Sequence, residues 1–383
     1  MMDATDLPRL CEQRGWTTRS RLILELRAAA RRKGRGLLPD DASLKRMIRE
    51  WTHGRRGLSP EYADLFAEVF GVPFATGKPR AEAPTPSGVD GMDLAARLAT
   101  AATVDAPLIT LLEAQTQSFR ALDRQLGAAQ LLQQTEAHVD QMTELWRYTL
   151  PGPHRAALAA AVAEAAALAG WQALDLGDPH KAWSLHETAK SAARESEVPA
   201  IVAHVTAQQA YALLDLGRVD DAAALIQHAR LTAGGLVPAM LRSWLWAAEA
   251  EALAASGAAN QAQEALDEAS RALPGQDSDD GLPFLFLDDV HLARWRGHCL
   301  ARLGKAEAVQ ELTNAVNRLD PTFTRAAAGL RCDLALAYSV RGQHEEARAE
   351  ARVAEALATR TASTRQRRRI TRLLASAEGQ SGR

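Results

Sequence analysis

Small and apolar residues recur in one frame over the C-terminal half of the chain. The frame is anchored on five glycines, namely Gly177, Gly217, Gly257, Gly304 and Gly342. A small residue stands seven positions before each of them, at Gly170, Ala210, Ala250, Gly297 and Ala335. Alanines stand five and twelve positions after the glycine in four copies, and one position earlier in the copy of Gly304. The intervals of 40, 40, 47 and 38 residues are typical of repeat arrays.

This frame predicts helical hairpins that stack side by side. Two helices pack closely where both carry small side chains, and glycine ends a helix in the left-handed conformation without steric cost. Each hairpin leaves one apolar face uncovered, so neighbouring hairpins must stack to bury it. Alanine-rich helices can match an alanine frame by chance, but several positions repeated over five copies argue against that. The sequence therefore predicts an all-α protein with an α-solenoid.

The frame resembles the tetratricopeptide repeat, which has a small residue in its first helix, alanine in its second and a closing proline. Pro274 and Pro321 close two of the copies. The resemblance covers roughly Glu164 to Arg360, and it implies that the first helix of each hairpin lines a concave surface.

A second helical pattern occupies the first 74 residues. It predicts four helices, which run from Leu7 to Gln13, from Thr18 to Lys33, from Leu44 to His53 and from Pro60 to Phe70. Leu44, Met47, Ile48 and Trp51 form the apolar stripe of the third helix. Asp41 or Ser43 is the expected N-cap of that helix.

The opposite face of the third helix is basic. Lys45, Arg46 and Arg49 share it, and Arg55 and Arg56 follow in the next turn. The first 80 residues carry 16 Lys and Arg against 10 Asp and Glu, whereas the whole chain has a net charge of −2. A helix that buries one side and presents cations on the other suits the major groove of DNA. The alternative is a basic face that contacts only solvent.

The run from Ile48 to Pro60, IREWTHGRRGLSP, resembles the Cro/phage-repressor-type (XRE) helix-turn-helix, as does the RGWT segment from Arg14 to Thr17. The segment from Ala169 to Asp178 resembles actinobacterial regulators that join such a head to tetratricopeptide repeats. The resemblance implies a DNA-binding transcription regulator. Its expected DNA-binding residues are Ser43, Lys45, Arg46, Arg49, Arg55 and Arg56.

Composition divides the chain into four parts. We predict a helix-turn-helix domain at 1–74, a flexible Pro- and Gly-rich linker at 75–91, a diverged helical cap at 92–153 and a superhelix at 154–383. The superhelix ends in a capping helix from Thr361 to Ala377, which carries an arginine run. We expect that run to be solvated, with a contact to DNA or to an acidic partner as the alternative.

Counting back from the frame glycines places aromatic and charged side chains on the predicted concave surface. The candidates are Trp171, His204, Tyr211, Trp244, Glu251, His291, Arg294, His298 and Arg302. Such a mixture suits a peptide or a small molecule. In the alternative interpretation, Trp171 and Trp244 only pack between repeats. His291 and His298 are seven residues apart, which is too far for a shared metal without a third helix.

Other features narrow the class of protein. Catalytic triads, phosphate-binding glycine loops and Cys-x-x-Cys pairs are missing from the sequence, so neither an enzyme nor a cofactor is expected. The chain lacks a run of about eighteen apolar residues and a signal-peptide pattern, which predicts a cytoplasmic protein without a membrane span. Because operators are commonly read as paired half-sites, we expect a homodimer on double-stranded DNA. The alternative function is a protein-interaction scaffold whose head does not bind DNA.

Overall fold

The computed structural model describes the chain except residues 1, 3, 17–18, 36–37, 53–56, 77–87, 276–281 and 382–383, and except the side chains of 19, 88–91 and 376–381. Among the described residues the secondary structure is helical, apart from a single isolated bridge between Met2 and Phe74. The predicted all-α class is therefore confirmed. The chain forms two compact units, Met1–Ala96 and Arg97–Arg383.

Within its described residues the first unit packs four α-helices around one apolar core. They are α1 (Leu7–Gln13), α2 (Arg19–Arg32), α3 (Asp41–Thr52) and α4 (Pro60–Phe70). Leu44, Ile48 and Trp51 of α3 are buried, as their spacing predicts. The Trp51 ring lies 4.7 Å from Tyr62 and 5.7 Å from Phe66, between ring centroids.

The start of α3 differs from the prediction. The helix begins three residues early, at Asp41, and neither Asp41 nor Ser43 caps it. Instead the Asp40 carboxylate accepts hydrogen bonds from the Ser43 backbone N–H at 2.9 Å and from the Ser43 hydroxyl at 3.0 Å. These bonds lower the pKa of Asp40, because they stabilise the charged carboxylate.

The predicted linker at 75–91 lies largely outside the described residues. Its last part does not: α5 (Gly88–Ala101) begins inside the predicted linker.

In its described residues the second unit continues with thirteen α-helices. They are α6 (Ala106–Leu126), α7 (Leu132–Tyr148), α8 (Pro153–Asp175), α9 (Pro179–Ser196), α10 (Pro199–Asp215), α11 (Val219–Ala233), α12 (Ala239–Ala255), α13 (Ala259–Ala272), α14 (Asp289–Arg302), α15 (Ala308–Arg318), α16 (Thr324–Val340), α17 (His344–Arg360) and α18 (Thr364–Ser381). The pairs from α8/α9 to α16/α17 are the five predicted hairpins. They form the predicted tetratricopeptide-like α-solenoid.

The repeat frame has the geometry that its residue types predict. The five frame glycines have φ between 67° and 81°, in the left-handed region that favours glycine. Gly170 and Gly297 lie where the two helices of a hairpin pack tightly. A Cβ atom on Gly170 would lie 2.6 Å from the His186 ring, and one on Gly297 would lie 2.6 Å from Leu312.

The end of the array returns to its beginning. The Ser363 hydroxyl donates to Asp175 of α8 at 2.7 Å, and Arg365 of α18 donates to Asp215 of α10 at 2.9 Å. Gly127, after α6, packs so closely that an added Cβ would lie 2.2 Å from the Thr361 carbonyl oxygen. The second unit is therefore a closed ring of helices.

This closure corrects the prediction of a solvated arginine run on α18. Arg367 and Arg368 are exposed, but the Arg365 and Arg369 side chains are only 16% and 25% exposed and pair with Asp215 and Asp333. The two arginines face the interior because ring closure sets acidic residues of other helices opposite them.

α8 is long and apolar enough to cross a membrane by length and composition. However, 78% of its most apolar window is buried inside the protein, as in the core helix of a repeat array. Within the described residues, α5 and α6 would pass the same test only together, as one span bent by 83°.

Candidate ligand-binding cavity

A cavity of about 420 Å³ lies inside the ring. Its walls come from α6, α18, the loop before α14 and the first helix of each hairpin. The nine residues predicted to bind a ligand all line it, namely Trp171, His204, Tyr211, Trp244, Glu251, His291, Arg294, His298 and Arg302. Trp244 is also buried between repeats, so this side chain both packs against neighbouring repeats and lines the cavity.

One further position of the repeat lines the cavity and was not among the predicted positions. Nine residues before the frame glycine, Leu168, Gln208, Trp295 and Asp333 also line the cavity. Positions 13, 9, 6 and 2 before the glycine follow the i, i+4, i+7, i+11 spacing of one helical stripe. The frame itself therefore contained the missing signal.

Other lining residues come from outside the frame. They include Arg120, Asp123, Arg124, Phe284, Phe286, Phe323, Arg325, Arg365 and Arg369. The 47-residue interval between Gly257 and Gly304 signals the insertion that carries Phe284 and Phe286. The arginines of α6 and α18 reach the cavity because the ring closes. Ring closure depends on contacts between distant parts of the chain, so no local sequence pattern indicates it.

Glu251 is the centre of a buried polar cluster. Its carboxylate accepts hydrogen bonds from Trp295 Nε1 at 2.9 Å and from the Tyr211 hydroxyl at 3.2 Å, and it lies 3.5 Å from His298 Nε2. Burial opposes ionisation of Glu251. The charges of His298, Arg365 and Arg302 outweigh that effect and lower its pKa.

Asp333 continues the cluster on α16. It accepts from His298 Nδ1 at 2.8 Å and pairs with Arg369. Burial acts to raise the pKa of Asp333, but Arg369 and His298 lower it further than burial raises it. His298 thus connects two carboxylates that stay ionised at neutral pH.

One wall of the cavity is aromatic. The His204 ring lies 5.1 Å from Trp244 and 4.6 Å from Phe284, between ring centroids. Burial lowers the pKa of His204 to about 3, and the charges of Arg120 and His186 add to the effect. His204 is therefore neutral at physiological pH and offers a flat, largely apolar surface.

Arginines lie over other aromatic residues of the cavity. Arg365 lies 5.5 Å from the Trp171 ring and 5.8 Å from the Tyr211 ring, and Arg325 approaches Trp171 to 5.6 Å. The Arg124 guanidinium lies 5.4 Å from the Phe323 ring. Cation–π contacts of this kind hold a guanidinium in place while leaving its N–H groups available to a ligand.

The predicted DNA-binding residues of the first unit lie on α3 where they are described. Lys45, Arg46 and Arg49 are exposed, and Arg46 lies 3.9 Å from Glu50. Ser43 is half-buried and bonded to Asp40. Arg55 and Arg56 lie outside the described residues.

The described part of the chain has no candidate metal centre. No group of three or more His, Cys, Asp or Glu residues there could hold a metal ion.

No protein-family model matches the chain, and no curated protein matches it. Among solved structures, BtubC (BKLC) from P. vanneervenii is similar over 61% of this chain and 91% of its own, with 17% identity and a TM-score of 0.41. A putative kinesin light chain with nearly identical TPR-like repeats from Podosopora anserina is similar over 55% of this chain and 99% of its own, with 18% identity and a TM-score of 0.34. A variant of that protein with a single substitution covers 50% of this chain and 92% of its own, with 18% identity and a TM-score of 0.32. At these values the likeness is one of helical repeats and does not extend to function.

Proposed function

We propose that the second unit is a receptor for a small ligand and that the first unit is a DNA-binding head, which together make a transcription regulator. The observation that carries the receptor role is the convergence of side chains from five hairpins, α6 and α18 on one cavity. Its volume of about 420 Å³ falls within the range of small-molecule sites.

The basic face of α3 supports the role of the head. Lys45, Arg46 and Arg49 are exposed on the helix whose other face is the core of the unit. Cations on an exposed helix can bind phosphates and reach base edges in the major groove. In this proposal a homodimer reads paired half-sites, and ligand binding alters the ring and with it the spacing of the two heads.

A protein-interaction scaffold is the second candidate. Exposed apolar side chains outside the cavity favour it, because such groups are available to a protein partner. Leu216, Leu231 and Leu236 are 60%, 65% and 77% exposed on or beside α10 and α11. In this alternative the head does not bind DNA.

DNA binding by the full-length protein separates the two candidates. We expect fluorescence anisotropy with random and genomic duplexes to show binding that weakens steeply with salt, because each phosphate contact releases counterions. Replacing Lys45, Arg46 and Arg49 by alanine should reduce affinity at least about tenfold and abolish sequence preference.

The matched control replaces Arg9, Arg21 and Arg31 by alanine, since these exposed cations of α1 and α2 carry the same total charge. If both triple variants bind alike, α3 is not the recognition helix. If the parent protein shows no salt-dependent affinity, the scaffold function is favoured instead.

A further inference from the structure

Arginine outnumbers acid in the cavity. Nine arginines and five Asp or Glu residues are among its described lining residues. The acids already have partners: for example, Asp123 pairs with Arg325, and Asp215 with Arg365. Positive charge is therefore left over inside the ring.

The excess charge lies on specific side chains. Arg124, Arg294 and Arg302 make no ion pair within 4.0 Å with the residues that the structure describes. Arg294 is the most enclosed of the three, because its Nε is buried and has no hydrogen-bond partner among those residues. Its guanidinium lies 4.6 Å from the Trp295 ring.

Burial makes the charge of Arg294 costly. Its pKa is lowered by burial, which outweighs the opposing charges of Asp333 and Glu251. A buried donor without an acceptor costs about 1–3 kcal/mol, and more when it is charged. An anionic ligand in the cavity would supply the acceptor that Arg294 Nε lacks.

His291 adds a complementary group one turn earlier on α14. Its Nδ1 lies 2.7 Å from Asp288 Oδ1, and the pKa of Asp288 is lowered despite burial, chiefly by hydrogen bonds from His291. Burial lowers the pKa of His291, so the ring is neutral at physiological pH. Because an ionised carboxylate only accepts, Nδ1 carries the one ring proton and Nε2 is an acceptor. That Nε2 is buried and has no partner among the described residues.

We propose that the cavity binds an organic anion with a planar apolar part. Arg294 binds its charged group, His291 Nε2 accepts a hydrogen bond from the ligand, and the wall of His204, Trp244 and Phe284 packs against the planar part. The shared chemistry is that of an aromatic carboxylate, sulfonate or phosphate. This inference rests on the proposed receptor function of the second unit.

Two fluorescent dyes with the same ring system test the charge preference. Anilinonaphthalenesulfonate (ANS) carries a sulfonate and an N–H group, and phenylnaphthylamine carries the N–H group alone. We expect the full-length protein to bind one ANS per chain, at least about tenfold more tightly than phenylnaphthylamine, because a charge-assisted hydrogen bond forms only with the anion.

Substitutions at Arg294 assign that preference to one residue. Arg294→Gln should weaken ANS binding about tenfold and leave phenylnaphthylamine binding unchanged, while Arg294→Lys should retain part of the ANS affinity. Arg218→Gln, at an exposed arginine outside the cavity, should change neither. Because Arg294→Gln removes a half-buried charge that makes no ion pair among the described residues, the midpoint of thermal unfolding of the ligand-free variant should equal or exceed that of the parent, which also verifies folding.

The contrary outcomes are distinct. If both dyes bind equally and Arg294→Gln changes neither, the cavity is a receptor site but its anion preference is wrong. If neither dye binds, both this inference and the receptor function fail, whereas the DNA experiment tests the head separately. A lower unfolding midpoint for Arg294→Gln would mean that Arg294 is a structural residue.

Discussion

Burial of His204 makes the stability of the ring depend on pH. In an unfolded chain its pKa is about 6.5, whereas in the structure it is about 3. Below pH 6.5 the unfolded chain therefore binds a proton that the folded chain does not bind until about pH 3. The stability that neutral His204 contributes is complete above pH 6.5 and is lost as the pH falls, by about 1.4 kcal/mol per pH unit.

We expect His204→Gln to reduce this dependence. Between pH 7.5 and pH 5, the free energy of unfolding should fall about 2 kcal/mol less in the variant than in the parent, as measured by urea denaturation. Comparing the two proteins cancels groups such as Asp123, whose raised pKa acts in the opposite direction. His180→Gln, at an exposed position, should behave like the parent, and equal slopes for all three proteins would contradict the burial argument.

The sequence predicted the location of single residues where they stand at equivalent positions of successive repeats. Eight of the nine predicted lining residues come together because they occupy positions 13, 6 or 2 of the same stripe, and Arg294, ten residues before its glycine, lies beside that stripe. Asp333 was missed because its position, nine before the glycine, was not counted, although the 3.6-residue period places it on that stripe. Asp40 was missed because the cap lies one residue ahead of the candidates, a choice that depends on backbone geometry rather than on residue type.

The helix α18 holds the ring together through its inner face. Arg369 pairs with buried Asp333, and Ile370 is buried beside it. Arg367, two residues earlier, is exposed, and its side chain donates to Thr364 of its own helix at 3.2 Å. The two arginines therefore form a matched pair on one helix.

Arg369→Ala should destabilise the protein by about 3 kcal/mol, because it removes the arginine partner of the buried Asp333 carboxylate and leaves that carboxylate its hydrogen bond from His298. Arg367→Ala should cost less than about 0.5 kcal/mol. Chemical denaturation of both variants measures the difference. Equal stabilities would show that the pairing of Arg369 with Asp333 contributes nothing.

Helices were predictable because the spacing of their apolar residues and the residues that end them are local features of the sequence. Glycine, proline and the apolar stripe located α1 to α4 within a few residues, and the frame glycines located the turn of each hairpin. The packing of α18 was not predictable in this way, because a run of arginines in a sequence normally indicates a solvent-exposed face. Their partners lie on α10 and α16, far away in the chain.

At the scale of the whole array, ring closure follows from small rotations between successive hairpins. These add up over five repeats, and no single repeat encodes their sum. The sequence therefore predicted a concave surface, and in the structure that surface lines a cavity inside the ring that α18 completes. The difference matters for function, because a closed ring surrounds a small ligand, whereas an open groove suits an extended peptide.

Removing α18 should open the ring. A chain that ends at Arg360 loses buried Ile370 and the partners of Asp215 and Asp333, and we expect a loss of at least about 3 kcal/mol, measured by thermal and urea unfolding. A chain that ends at Ala375 keeps these groups and should match the full-length protein. If both shortened chains are equally stable, α18 does not hold the ring closed.

The bond between Ser363 and Asp175 joins residues that are 188 positions apart. During translation at about 5–20 residues per second, the ribosome needs roughly 10–40 seconds to make the chain between them. For that time the first hairpins leave the ribosome without the helix that will cover them. A nascent chain thus has a window in which chaperones can bind its uncovered edge, and a premature stop codon would make that exposure permanent.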